Sequence, residues 1–128
     1  MKKNLKRREP TDCYVVLCTA GGEKEGERIS RIMIREGLAA CVNIIPKVKS
    51  IYTWKGKVYK EEEALMVIKT DRRRIKEIMQ KIKALHSYEV PEILALKVEE
   101  GEKSYTEWLR NAVRSKAKKD IDNKRFKR

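Results

Sequence analysis

The chain has 128 residues, a formal net charge of +13, 41% apolar and 40% charged residues, three cysteines and one histidine. That length suits one domain that buries its own core without cross-links. No apolar run exceeds about eight residues, far short of a bilayer span. Three scattered cysteines with no CxxC spacing exclude a disulfide scaffold and point to a reduced, cytoplasmic protein.

The charge is uneven. Residues 1–9 hold five Lys/Arg against one acid and residues 114–128 hold eight against two, whereas 10–113 hold nineteen against sixteen. We therefore read 1–10 as a basic N-terminal tail, 11–114 as the folded domain and 115–128 as a basic C-terminal tail. Tails of this kind contact nucleic acid without sequence preference, or stay solvated. The basic start followed by Cys13 to Ala20 loosely imitates a secretory leader. Thr11-Asp12 interrupt it, however, and cleavage there would delete a core strand.

Cys13 to Thr19 is apolar and β-branched, the pattern of a central strand. Ala20-Gly21-Gly22 turns the chain into a helix from Glu23 to about Glu36, with Ile29, Ile32 and Met33 at helical spacing. Gly37 is a natural helix stop. Leu38 to Ile45 reads as a second strand that Pro46 ends, because proline lacks the backbone donor of a central strand. Lys55-Gly56 between Ile51–Trp54 and Lys57–Tyr59 predicts a hairpin. A two-residue turn pairs Trp54 with Lys57 and Tyr52 with Tyr59, so the aromatics share a face. The Glu61–Glu63 run separates this ribbon from a further strand, Ala64 to Ile68.

Thr70 or Asp71 caps a second helix, in which Ile75, Ile78, Met79 and Ile82 give the clearest helical period of the chain. His86 to Pro91 is a connector, and Glu92 to Val98 a last strand. Ser104 with Glu107 has capping-box spacing, ahead of a short helix carrying Tyr105, Trp108, Leu109 and Ala112. The order is β-α-β-β-α-β with a hairpin extension and a C-terminal helix: an α+β, ferredoxin-like sandwich. Apolar residues lie on both sides of its strands, as in Leu65/Val67 and Ala64/Met66/Ile68. The face away from the helices therefore calls for cover by another subunit.

The chain has no Walker A, GxGxxG, HExxH or nucleophile motif, and we read it as a non-enzyme. Split βαβ sheets that bind RNA carry aromatics in a KGFGFV-like strand. Residues 64–69 are Ala-Leu-Met-Val-Ile-Lys here, which argues against base stacking on the sheet.

Six runs in one register, VVLCTA (15–20), GLAACVNIIP (37–46), SIYTWKGK (50–57), EEEALMVIKT (61–70), HSYEVPEILAL (86–96) and YTEWL (105–109), resemble the CutA divalent-cation-tolerance proteins over about residues 12–113. The resemblance implies a ferredoxin-like protomer in a tight homotrimer whose sheets meet edge to edge. It implies a role in tolerance of copper and other divalent metals such as zinc, with no metal required for folding and no established reaction. It also implies an architecture like that of the PII signalling trimers, which bind effectors between subunits.

Copper ligands carried over from the family are Cys18, Cys41 and His86. Thiolate and imidazole suit copper, thiolate especially Cu(I). Yet Cys18 and Cys41 lie in apolar strands, where cysteine also serves as a small hydrophobe. His86 reads equally as an exposed helix-end residue. Cys13 has no family counterpart, and Ser87 stands where the family commonly has proline after this histidine. A second constellation, Trp54, Glu63, Lys69, Tyr88 and Glu92, is expected at an intersubunit pocket. There it would hold a small anion or a metal, or form salt bridges and packing between subunits. The leading expectation is a non-catalytic copper-binding trimer; the alternative is a PII-like effector-binding or scaffold trimer.

Overall fold

The computed structural model describes residues 11–114; both basic tails lie outside the described residues. Its elements are β1 (Cys13–Ala20), α1 (Glu23–Arg35), β2 (Cys41–Trp54), β3 (Lys57–Asp71), α2 (Ile75–Leu85), β4 (Leu94–Lys97) and α3 (Lys103–Arg114). The four strands form one sheet in the order β2-β3-β1-β4, antiparallel at every junction.

Strand alternation decides what each face meets. Val16, Cys18 and Ala20 of β1 and Met66 and Ile68 of β3 point to one face, where they are fully buried against Ile29 and Met33 of α1 and Ile78 and Ile82 of α2. Burying each Val, Ile or Met side chain of this set stabilises the fold by about 1.5–3 kcal/mol relative to leaving it exposed. Cys13, of the opposite parity, packs with Leu109 and Val113 of α3. The third helix therefore covers one end of the second face. Ile45, Leu94 and Leu96 elsewhere on that parity remain 44–57% exposed.

The local signals act as their chemistry dictates, with four differences. First, β2 begins at Cys41 rather than Leu38, and Pro46 does not end it. The strand continues to Trp54, with a register shift between Ile45 and Val48: Ile45 pairs with Leu65, and Val48 pairs with Glu63. The missing proline donor is tolerated because β2 is an edge strand. Second, Glu61–Glu63 lie within β3 and do not interrupt it. Third, β4 is shorter than Glu92 to Val98, spanning only Leu94–Lys97. Fourth, the cap of α3 is Glu102, whose carboxylate accepts the Tyr105 N–H at 2.8 Å. Ser104 already lies inside that helix.

Elsewhere, Asp71 accepts the Arg73 N–H at 3.0 Å and opens a 3-10 turn, Arg72–Arg74, ahead of α2. The hairpin pairs Trp54 with Lys57 and Tyr52 with Tyr59. Lys55 at φ 51° and Gly56 at φ 80° give both turn residues positive φ, the type I′ geometry that matches strand twist.

Gly26 is a buried interior residue of α1. A Cβ there would meet the Cβ of Ala64 and the Cγ of Met66 at 3.7 Å and the Cβ of Ala20 at 3.9 Å, all ordinary van der Waals contacts. Gly26→Ala should therefore stabilise the protein by about 0.5–1 kcal/mol through helix propensity. A lowered midpoint in urea unfolding would contradict this packing.

Candidate functional site, an acidic cleft beside the His86 connector

β4 pairs with β1 only from Tyr14 to Leu17, so the last carbonyls of β1 lack a strand partner on that side. His86 supplies one. Its ring, fully buried as a side chain, donates from Nε2 to the Thr19 carbonyl at 2.7 Å. Its Nδ1 accepts the Tyr88 N–H at 3.0 Å, which fixes the tautomer. The Tyr88 ring lies 4.7 Å away, centroid to centroid.

Glu25, in the first turn of α1, holds the same connector. It accepts the Gly21 N–H at 2.9 Å, the Ser87 N–H at 2.7 Å and the Ser87 hydroxyl at 3.0 Å, with His86 Nδ1 3.8 Å away. Proline at position 87 would supply neither of the Ser87 donors. Burial alone would raise the Glu25 carboxyl; these hydrogen bonds and the nearby imidazole outweigh it and hold the group below its ordinary value of 4.5.

The connector thereby aims Tyr88 at β3. Its hydroxyl donates to Glu63 Oε2 at 2.7 Å. Burial first, then the Glu63 hydrogen bond and the charges of Glu63, Glu61 and Glu25, push the phenol well above its usual range. Glu63 itself is 8% exposed. Across from it, the register shift in β2 matters. The one extra residue puts Val48, Ser50, Tyr52 and Trp54 on the parity of Glu63 and Glu61. Tyr52 stacks on Tyr59 at 5.7 Å. Its hydroxyl is bonded to Glu61, which with burial and further negative charge raises the phenol.

Together these residues wall a cleft of about 680 Å³, lined by Tyr52, Trp54 and Tyr88 and by the carboxylates of Glu61, Glu63, Glu89 and Glu92. Among the described residues, no lysine, arginine or histidine lines it. Among the described residues, none of these four carboxylates is ion-paired. Within the described residues, the cleft is thus a pocket of negative charge without a basic partner.

Of the pocket residues expected from sequence, Trp54, Glu63, Tyr88 and Glu92 line this cleft and Lys69 does not. Lys69 lies six positions along β3 from Glu63, about 20 Å at the rise of a strand. It pairs across the sheet with Cys41 and donates to the Asn43 side-chain carbonyl. Glu25, Tyr52, Glu61 and Glu89 were not among the pocket residues expected from sequence. Tyr52 and Glu61 carry a usable signal, each two residues from a named partner on a strand of period two.

The copper set is not assembled within one chain. Cys18 is fully buried on the α1–α2 face, its thiol pushed up to about 12 by burial first and then by Glu92, Glu25 and Glu63. Cys41 has the opposite parity and is half-buried, its Sγ 4.0 Å from Asn43 Oδ1. Both His86 nitrogens are engaged. Among the described residues, no three His, Cys, Asp or Glu side chains come close enough together to hold a metal ion.

The sequence profile described as "CutA1 divalent ion tolerance protein" matches residues 14–112. The chain is 44% identical over 96 residues to "Divalent-cation tolerance protein CutA" of Thermus thermophilus, covering 75% of this chain and 93% of that one. It is 39% identical over 106 residues to human "Protein CutA", covering 83% of this chain and 59% of the human protein. Among solved structures, that of the Thermus protein superposes with TM-score 0.76 at 42% identity, covering 78% of this chain and 97% of that one. The Archaeoglobus fulgidus CutA, described as a periplasmic divalent cation tolerance protein, gives TM-score 0.77 at 36% identity, with 79% and 98% covered.

Because the folded-state pKa of Glu25 is lowered, its contribution to stability is present above the unfolded carboxylate value and is lost as pH falls through the folded one. Glu25→Gln should cost about 1–3 kcal/mol at pH 7. In urea titrations the gap between variant and parent should narrow as pH drops below 4.5. A gap independent of pH would remove the charge from this explanation.

Proposed function

The chain belongs to the CutA1 divalent ion tolerance family, and we propose that it works without catalysis as a cytoplasmic homotrimer of ferredoxin-like protomers. In this reading it takes up divalent cations in the cleft around Glu63. The observation that carries the reading is the Glu63 carboxylate, 8% exposed and hydrogen-bonded to a neutral hydroxyl, with no lysine, arginine or histidine among the described residues lining its cleft. A buried charge without a counter-charge is costly, and a bound cation removes that cost. Glu61, Glu89 and Glu92 add attraction at the mouth.

Carboxylate oxygens favour hard or borderline cations, manganese and zinc among them, over Cu(I). With no three ligands converging among the described residues, a bound ion keeps part of its water shell or gains a ligand from a neighbouring subunit, as is usual for hard divalent ions. Copper at Cys18, Cys41 and His86 is the competing reading. It requires Cys18 to leave the core and His86 to release Thr19 or Tyr88. A PII-like effector between subunits would use the same cleft, but its four carboxylates repel an anion. The basic tails, through which non-specific nucleic-acid contact is proposed, take no part in the cleft reading.

The cytoplasmic reading rests on the cysteines; among the described residues no helix is long and apolar enough to cross a membrane. Trimerisation is supported by the exposed Ile45, Leu94 and Leu96 on the sheet face away from α1 and α2. Leu96→Glu should lower the mass seen by light scattering; an unchanged mass would place the interface elsewhere.

Calorimetric titration with Mn²⁺, Zn²⁺ and Cu²⁺ tests the site. Glu63→Gln keeps an oxygen for the Tyr88 hydroxyl, and should weaken Mn²⁺ and Zn²⁺ binding about tenfold or more, a loss of roughly 1.4 kcal/mol. Cys18→Ser should leave both metals unaffected. Binding of copper alone, abolished by Cys41→Ser or His86→Ala, would instead locate metal at the sulfur and imidazole set.

A further inference from the structure

The cleft has more room than a metal ion uses. Its volume of about 680 Å³ falls in the range of sites for small organic ligands. Its carboxylates are spread over two elements, Glu61 and Glu63 on β3 and Glu89 and Glu92 on the connector before β4. They do not converge on a point.

The wall between them is aromatic. Tyr52 and Trp54 come from the ribbon and Tyr88 from the connector. Ring faces attract alkylammonium groups, with an onset near 6 Å, and Lys55 already holds its ammonium 6.0 Å from the centre of the Trp54 ring. Tyr88 fills one acceptor position of Glu63. An ionised carboxylate offers about four, so a donor-rich cation has positions to occupy.

We propose that the cleft binds a linear alkyl diammonium or polyammonium ion. One ammonium donates to Glu63 and another meets the connector carboxylates, while the methylene chain lies against Tyr52 and Trp54. Two separated positive charges joined by an apolar stem match two separated acidic groups joined by an aromatic wall. A spherical dication matches only one of those groups at a time. This inference rests on the cleft being a cation site, as proposed above, and names a second class of dication for it.

The test is calorimetry on the full-length assembled protein with 1,4-diaminobutane, spermidine, n-butylamine and Mn²⁺. Saturable diamine binding is expected, about tenfold or more tighter than n-butylamine, the gain of one further charge pair in a partly buried site. Glu63→Gln should weaken diamine and Mn²⁺ alike. Trp54→Ala should weaken the diamine and spare Mn²⁺. If Trp54→Ala disturbs the assembly, competition in the unaltered protein decides, since the diamine should displace Mn²⁺. No saturable diamine binding with Mn²⁺ binding retained overturns this inference alone. Diamine and butylamine binding equally also overturns it, because screening by the acidic surface would then suffice. Failure of both cations to bind overturns the cation site itself.

Discussion

One extra residue in β2, between Ile45 and Val48, sets the direction of every side chain beyond it. Strand period is two, so a shift of one position exchanges the faces. Before the bulge, Asn43 and Ile45 share the face away from α1 and α2; after it, Val48, Ser50, Tyr52 and Trp54 do. Without the bulge, Tyr52 and Trp54 would turn away from Glu61 and Glu63, and the cleft would lose its aromatic wall. Bulges commonly re-aim side chains beside functional sites, and this one sits at Pro46-Lys47 on an edge strand, where a missing N–H leaves no ladder bond broken.

The opposite wall depends on a chain of hydrogen bonds that also closes the fold. Glu25 grips Ser87, His86 bridges the Thr19 carbonyl and the Tyr88 amide, and Tyr88 reaches Glu63. Each link meets a need of its neighbour: the unpaired end of β1, the first turn of α1, a buried carboxylate. His86 thereby holds the connector that carries Tyr88. Its two nitrogens are committed to backbone groups whose loss would leave buried polar atoms unsatisfied. Glu63 alone ends the chain with lone pairs to spare, facing a cleft that no lysine, arginine or histidine among the described residues lines.

Much of this was legible in the sequence because local chemistry and fold agree. The Ile75, Ile78, Met79, Ile82 period gives α2, and Lys55-Gly56 gives the turn and with it the Tyr52–Tyr59 pair. Six motif runs in order point to the family. Pro46 misled because a proline in an apolar run reads as a strand end unless the strand is known to lie at an edge, which only the sheet order reveals. The Glu61–Glu63 run misled likewise: three acids suit a loop, yet they lie within β3, where Glu61 and Glu62 stay exposed and Glu63 is buried beside Tyr88. Lys69 was grouped with Glu63 from motif membership, which is blind to distance along a strand. The burial of His86 follows from β4 being too short to pair the end of β1, and strand length is among the features least fixed by local pattern.

What neutralises Glu63 is the deciding question. Crystals grown with Mn²⁺ and measured at its absorption edge would locate the ion directly. An anomalous peak is expected in the cleft within coordination distance of a Glu63 oxygen. A lysine or arginine from a neighbouring subunit paired with Glu63, or a peak at Cys41 with the cleft empty, would contradict it.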